Sequence, residues 1–198
     1  MDLAQQKRRL AEIIRQKSFK YREDPPFVLA SGCTSNYYFN CKPTTLDPEG
    51  MNLIGEILFA MLKDEDITAA GGLTLGADPL ANALSVISWQ RGKPIKSFIV
   101  RKDLKDHGTK SAIEGDVSSG ERVAILDDVL TTGGSTVTAI AQAQAAGLEV
   151  VRVIVLIDRQ EGGRENIEAQ GLAGKVTAIL TRMEIMAGFA GTAGGPAA

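Results

Sequence analysis

Hydrophobic and polar positions along the chain follow two rhythms. Over residues 3–17, Leu3, Ala4, Leu10, Ile13 and Ile14 recur at helical spacing among Gln, Lys, Arg and Glu, which predicts an amphipathic helix. Asp24-Pro25-Pro26 breaks it. Phe27-Val28-Leu29 and Tyr37-Tyr38-Phe39 then read as short strands about a turn at 31–35. Asp47 suits a helix N-cap with Pro48 at the first helical position, opening a helix to about Leu62. From there short apolar runs alternate with helical patterns. Strands are expected over 67–71, 95–100, 122–126, 149–157 and 175–180, with helices over about 76–91 and 134–146. The run at 149–157 is nearly unbroken and β-branched, as in a strand buried on both faces of a parallel sheet. This alternation predicts an α/β fold, a doubly wound, mostly parallel central sheet flanked by helices. Trp89, late in the 76–91 helix, is expected to pack against the core.

Composition narrows the functions open to such a fold. With 198 residues there is room for one α/β domain and no linker divides the chain. The net charge of −2 gives no global field for nucleic acid or an anionic membrane, so anion binding must be built locally. The apolar stretches are too short to span a bilayer, and the first ten residues lack the apolar core of a secretory leader. Cys33 and Cys41 form neither a metal-ligand spacing nor a disulfide framework, and read as core or loop residues. A reduced, cytoplasmic setting is therefore expected.

The densest chemistry lies in Val123-Ala124-Ile125-Leu126-Asp127-Asp128-Val129-Leu130-Thr131-Thr132-Gly133-Gly134-Ser135-Thr136. Two acids end a hydrophobic run, and a turn of small residues leads into a helix. Glycines let backbone N–H groups converge on an anion at the positive end of a helix, and the Thr and Ser hydroxyls add donors. The acids would repel a phosphate, so they suit sugar hydroxyls or a divalent cation. Acids from a strand and donors from a turn together suggest a phosphorylated sugar. The segment is neither a Walker A loop nor a dinucleotide fingerprint, because both glycine spacings are absent.

A second segment, 101–120, is polar and long for a connection within a compact domain. It carries Arg101, Lys102, Lys105, His107 and Lys110, with Asp103 and Asp106 between them. Alone it reads as a solvated loop, but it follows a strand's carboxyl end, where open α/β sheets bind ligands.

The Val123–Thr136 segment resembles the phosphoribosyl pyrophosphate (PRPP) signature of the type I phosphoribosyltransferases. Three further segments are similar to the orotate phosphoribosyltransferase family in particular. These are Leu29-Ala30-Ser31-Gly32 with Ser35-Asn36-Tyr37-Tyr38-Phe39-Asn40, then Arg101-Lys102-x-x-Lys105-Asp106-His107-Gly108, and Asp158-Arg159-Gln160-Glu161. The resemblance implies that 1–188 form one phosphoribosyltransferase domain, that about 1–45 form a small N-terminal hood on the orotate side, and that 189–198 are an unstructured tail. It further implies a Mg²⁺-dependent transfer of the 5-phosphoribosyl group from PRPP to orotate, releasing pyrophosphate, as a step in pyrimidine (UMP) biosynthesis. On this pattern Asp127 and Asp128 hold ribose hydroxyls, Thr131, Thr132, Gly133, Gly134 and Ser135 cradle the 5′-phosphate, and Val129 and Leu130 also count among the PRPP-binding residues. Arg101, Lys102, Lys105 and His107 serve the pyrophosphate, with Lys105, His107 and the two acids in the catalytic roles. Tyr38, Phe39, Thr131 and Arg159 face orotate; a planar guanidinium matches its carboxylate. Mg²⁺ is expected to ride in with PRPP without a dedicated protein cage. The 101–113 loop is expected to reach a neighbouring subunit, which implies a homodimer.

Two positions depart from the family's pattern. Ala30 and Gly76 stand where lysines are common, and Lys42 is a candidate for the missing charge. Rival readings are a phosphoribosyltransferase for a purine or uracil, against which Arg159 and Tyr38-Phe39 argue, and a non-catalytic PRPP-binding regulator, against which the Lys105–His107 loop argues.

Overall fold

The structure, a computed structural model, describes residues 1–28, 34–102 and 112–187. The N-terminal part carries α1 (Leu3–Lys17), β1 (Phe19–Tyr21), β2 (Phe27–Val28), β3 (Thr34–Ser35), β4 (Tyr37–Phe39) and α2 (Lys42–Thr45). Then follow α3 (Pro48–Leu62), β5 (Ala69–Leu73), α4 (Asp78–Gln90), β6 (Lys96–Val100), β7 (Ile113–Glu114) and β8 (Arg122–Leu130). The chain continues through α5 (Gly134–Ala145), β9 (Glu149–Asp158), α6 (Gly163–Ile167), β10 (Val176–Thr181) and α7 (Arg182–Ala187).

Local chemistry explains the two long N-terminal helices. Asp2 accepts from the Gln5 N–H at 2.8 Å while the Gln5 side chain accepts from the Asp2 N–H at 3.0 Å, a reciprocal cap that starts α1. Asp47 caps α3 by accepting from the Glu49 and Gly50 N–H groups, both at 3.1 Å, with Pro48 in the first turn as expected.

Six strands form one sheet in the order β10-β9-β8-β5-β6-β7, parallel throughout except for the short edge strand β7. Side-chain alternation splits the core into two layers. Ala124, Leu126, Ile154 and Leu156 face α1, α3 and α4, whereas Val123, Ile125, Val153 and Val155 face the buried side of α5. Burying one such Val, Leu or Ile side chain is worth roughly 1.5–3 kcal/mol, so β8 and β9, apolar on both faces, anchor the sheet.

Several expectations need correction. Among the described residues, Phe27-Val28 and Tyr37–Phe39 do not pair with each other. Tyr37–Phe39 pairs back onto Phe19–Tyr21, and β2 pairs with β3. The three-residue strand β1, with Lys20 at its middle, is too short to give a period. β5 lies two residues later than expected. More consequentially, β8 does not stop at Leu126: its pairing with β9 continues to Leu130 opposite Asp158, so both acids lie within the strand. Trp89 is not packed; it is 74% exposed. The inward stripe of α4 is Leu80, Ala81, Ala83, Leu84, Ile87 and Ser88, while Asn82, Val86 and Trp89 share the outward one at helical spacing.

Candidate active site

The parallel strands all end at one rim of the sheet. There Leu130, Asp158 and Thr181 lie in register across β8, β9 and β10, and Leu73 lies beside Val100 across β5 and β6. The next residue along each chain segment, Thr131, Arg159, Arg182, Thr74 and Arg101, therefore sits at that rim. The Arg159 N–H donates to the Leu130 carbonyl at 2.9 Å and ties two of these ends together.

Asp127 is 5% exposed and fully engaged. Its Oδ2 accepts from the Ser135 and Thr136 hydroxyls, each at 2.7 Å, and its Oδ1 from the Asp128 N–H at 2.9 Å. It thus straps the strand to the first turn of α5. Burial pushes its carboxyl up from the ordinary aspartate value, and the Thr136 and Ser135 hydroxyls pull it partly back. Asp128 is half-buried and is also raised by burial, with the Lys42 ammonium the largest opposing influence. Lys42 itself is exposed at the start of α2, next to Cys41, whose thiol lies 3.9 Å from the Asp128 carbonyl. Cys41 is 1% exposed, and burial raises its thiol well above the usual range, which suits a core residue. Gly76 faces the acids closely: a Cβ there would come within 2.7 Å of Asp128 Oδ1.

The turn from β8 into α5 is open on its ligand side and held from behind. Gly133 adopts φ 84°, and no side chain caps α5, so N–H groups of its first turn have no internal acceptor. From behind, Asn166 Nδ2 donates to the Thr132 carbonyl at 2.8 Å. Gly163 packs so close that a Cβ would lie 2.4 Å from the Thr131 carbonyl oxygen. Thr132, Gly134 and Ser135 are exposed, Thr131 and Val129 half-buried, and Leu130 buried in the core. A fixed, uncapped helix N-terminus of this kind binds an anion through backbone donors and the helix dipole.

Arg159 is 5% exposed at the end of β9. Its Nη2 lies 2.9 Å from Glu161 Oε1, its guanidinium stands 5.1 Å from the Tyr37 ring centre, and its Nε is buried without a partner among the described residues. The remaining expected residues are less gathered. Tyr38 is 40% exposed and stacks on Phe27 at 5.7 Å, whereas Phe39 is buried against Phe19 at 5.1 Å. Arg101 is half-buried with Nη1 3.2 Å from Glu114 Oε1, and Lys102 is exposed. Lys105 and His107, with Ala30, Ser31, Gly32 and Cys33, lie outside the described residues.

Sequence reasoning left Tyr37, Thr136, Glu161 and Arg182 off the site. Strand alternation separates Tyr37 from Tyr38, and the parallel register of β10 with β9 sets Arg182 beside Arg159. The first signal was available in the sequence; the second needed the sheet order.

An acid-bearing strand feeding an uncapped helix at the carboxyl rim of a parallel sheet is the arrangement implied by the resemblance to the type I phosphoribosyltransferases, and comparison with known proteins places the chain in that class. No protein-family model matches it. An orotate phosphoribosyltransferase of Aquifex aeolicus (strain VF5) is 47% identical over 167 residues, covering 84% of this chain and 91% of the relative. One of Bradyrhizobium diazoefficiens is 49% identical over 168 residues, covering 83% and 88%. Among solved structures, the Mycobacterium tuberculosis H37Rv orotate phosphoribosyltransferase in complex with PRPP matches with a TM-score of 0.73 at 32% identity, covering 91% of this chain and 92% of that one. The complex of the same enzyme with inorganic phosphate gives 0.78 at 36%, covering 92% and 99%. The chain belongs to the orotate phosphoribosyltransferase family.

Proposed function

We propose that the chain joins orotate to the 5-phosphoribosyl group of PRPP, giving orotidine 5′-monophosphate and pyrophosphate, as the UMP-forming branch of pyrimidine synthesis requires. The observation that carries this reading is Arg159, a buried guanidinium with an Nε donor that no described residue engages, one strand away from the anion-binding turn. A phosphorylated sugar on the turn and a carboxylate-bearing base on Arg159 would be neighbours.

In this reading Thr131, Thr132, Gly133, Gly134 and Ser135 receive the 5′-phosphate, with Val129 and Leu130 leading into them. Asp128 is the more accessible acid and accepts from the ribose hydroxyls, while Asp127 mainly holds the turn in shape. Thr131 and Tyr38 are assigned to the base, and Phe39 packs behind Tyr37, at 6.2 Å between rings, on the strand face that meets Arg159. As the bond from the anomeric carbon to pyrophosphate breaks, its electron pair leaves with pyrophosphate and the ring becomes oxocarbenium-like. The orotate ring nitrogen supplies the pair for the new C–N bond and gives up its proton to pyrophosphate or solvent. Cations there stabilise the transition state more than the ground state, a role for Arg101, Lys102, Lys105 and His107. Lys42 offsets charge near the ribose through Asp128.

Mg²⁺ would spread the charge of the departing pyrophosphate. No group of three or more His, Cys, Asp or Glu side chains among the described residues could hold an ion, and the half-buried Asp128 carboxylate fits one carried by PRPP. The loop at 101–113 shared across a homodimer, one domain over 1–188 with a hood over about 1–45, and a cytoplasmic setting belong to the same reading. No described helix is long and apolar enough to cross a membrane.

The test follows loss of orotate absorbance with PRPP and Mg²⁺. Turnover is expected with orotate and absent with hypoxanthine or uracil. In Arg159→Lys the fork becomes a point charge, and the orotate KM is expected to rise about ten-fold or more with the PRPP KM little changed, since charged hydrogen bonds contribute about 1.5–3 kcal/mol. Turnover with uracil in place of orotate would overturn the base assignment.

A further inference from the structure

The fork of Arg159 already holds a carboxylate, and it belongs to the protein. Glu161 Oε1 lies 2.9 Å from Arg159 Nη2 and also accepts from the Tyr37 hydroxyl at 3.1 Å. That hydroxyl in turn accepts from Arg182 Nη1, and the Tyr37 ring has the two guanidiniums near it, Arg159 and Arg182 each 5.1 Å from its centre. The two arginines are brought together by register, Thr181 lying opposite Asp158 across β10 and β9. Arg159 is 5% exposed, and its Nε is one of three buried side-chain polar atoms without a partner among the described residues.

A buried cation needs a counter-ion, and here it has an incomplete one. Glu161 engages one terminal nitrogen and leaves the Nε edge unused, where a planar carboxylate would bind bidentately. Glu161 is free to yield: its side chain is 31% exposed, against 6% for that of Arg159. A second carboxylate arriving at the same guanidinium would repel it.

We propose that Glu161 is the resident counter-ion of Arg159, exchanged for the substrate carboxylate on binding, and that Arg182 with Tyr37 forms the perch that takes up the displaced Glu161. This rests on the assignment of the orotate carboxylate to Arg159. It deepens that assignment into a specificity device. A base without a carboxylate cannot displace Glu161 and meets an occupied fork, so selectivity comes from exclusion as well as attraction. Arg182 is then a positioning residue: it makes the exchange easier without touching orotate.

Steady-state kinetics on the purified full chain tests this. In Glu161→Gln the orotate KM is expected to fall at least three-fold with the PRPP KM unchanged. Glu161→Asp, too short to reach the fork, should shift it in the same direction and guards against misfolding of one variant. Arg182→Met is expected to raise the orotate KM at least three-fold in the wild-type background and to have little effect in Glu161→Gln, because the perch then has nothing to hold. An orotate KM that is unchanged or raised in both Glu161 variants overturns the exchange, as does an Arg182→Met effect of equal size in both backgrounds. A wild-type chain without orotate turnover overturns the functional reading itself, and the exchange with it.

Discussion

At Asp128 the effect of burial is partly offset by the charge of Lys42. Because Lys42 is the main influence holding the Asp128 carboxyl down, Lys42→Ala should raise it further. Activity that needs ionised Asp128 would then lose its acidic side sooner, so the acidic limb of the pH profile of kcat/KM for PRPP moves to higher pH. An unmoved limb would remove Lys42 from the site. The same burial has a stability consequence. A carboxyl whose folded value lies above its unfolded one binds protons more readily when folded, so folding is favoured as pH falls through that window and disfavoured above it. Asp128→Asn removes a half-buried charge that burial disfavours, and its Tm at neutral pH should rise by a few degrees at most, at about 2–4 °C per kcal/mol for a chain of this size. Its activity should fall about ten- to hundred-fold, the cost of losing a charged acceptor for the ribose. Calorimetry and kinetics on one preparation check both signs.

At the level of elements, the turn between β8 and α5 depends on backbone that a side chain would spoil. Gly133 lies at φ 84°, and a Cβ there would come within 3.0 Å of the Gly163 carbonyl oxygen. Gly133→Ala should cost about 1–3 kcal/mol through left-handed strain. It should also raise the PRPP KM, read by thermal melting and kinetics together; a lowered Tm with unchanged PRPP KM would separate the turn from phosphate binding. Long elements were legible because their causes are local: the Asp47-Pro48 start of α3 and the β-branched run of β9 need no partner to be recognised. The end of β8 was not, since two acids normally stop a strand. Asp127 continues it because Ser135 and Thr136, eight and nine residues on, supply the hydroxyls that make its burial tolerable. Tyr37 and Phe39 share a strand face, but only the fold sets Tyr37 under two guanidiniums and Phe39 against Phe19.

For the whole molecule, the proposed sharing of the 101–113 loop makes a statement about mixtures. Lys105→Ala lacks a loop residue and Asp128→Asn lacks a rim residue, so each should be weakly active alone. If the loop serves its neighbour's site, unfolding and refolding the two variants together should restore sites in which both residues are intact, and activity should exceed the sum of the separate samples. A mixture equal to that sum would confine each site to one chain.

The outward position of Trp89 decides which optical signal is informative. It is the chain's sole tryptophan, and α4 starts with Asp78 near the rim and runs back along the sheet, placing Trp89 about 16 Å down the helix axis. Its fluorescence should have the long-wavelength emission of a solvated indole, be readily quenched by acrylamide, and not change when PRPP or orotate binds. Intrinsic emission is thus a reporter for the back of the sheet, and an association that covers the Val86–Trp89 stripe would announce itself as a blue shift that grows with protein concentration.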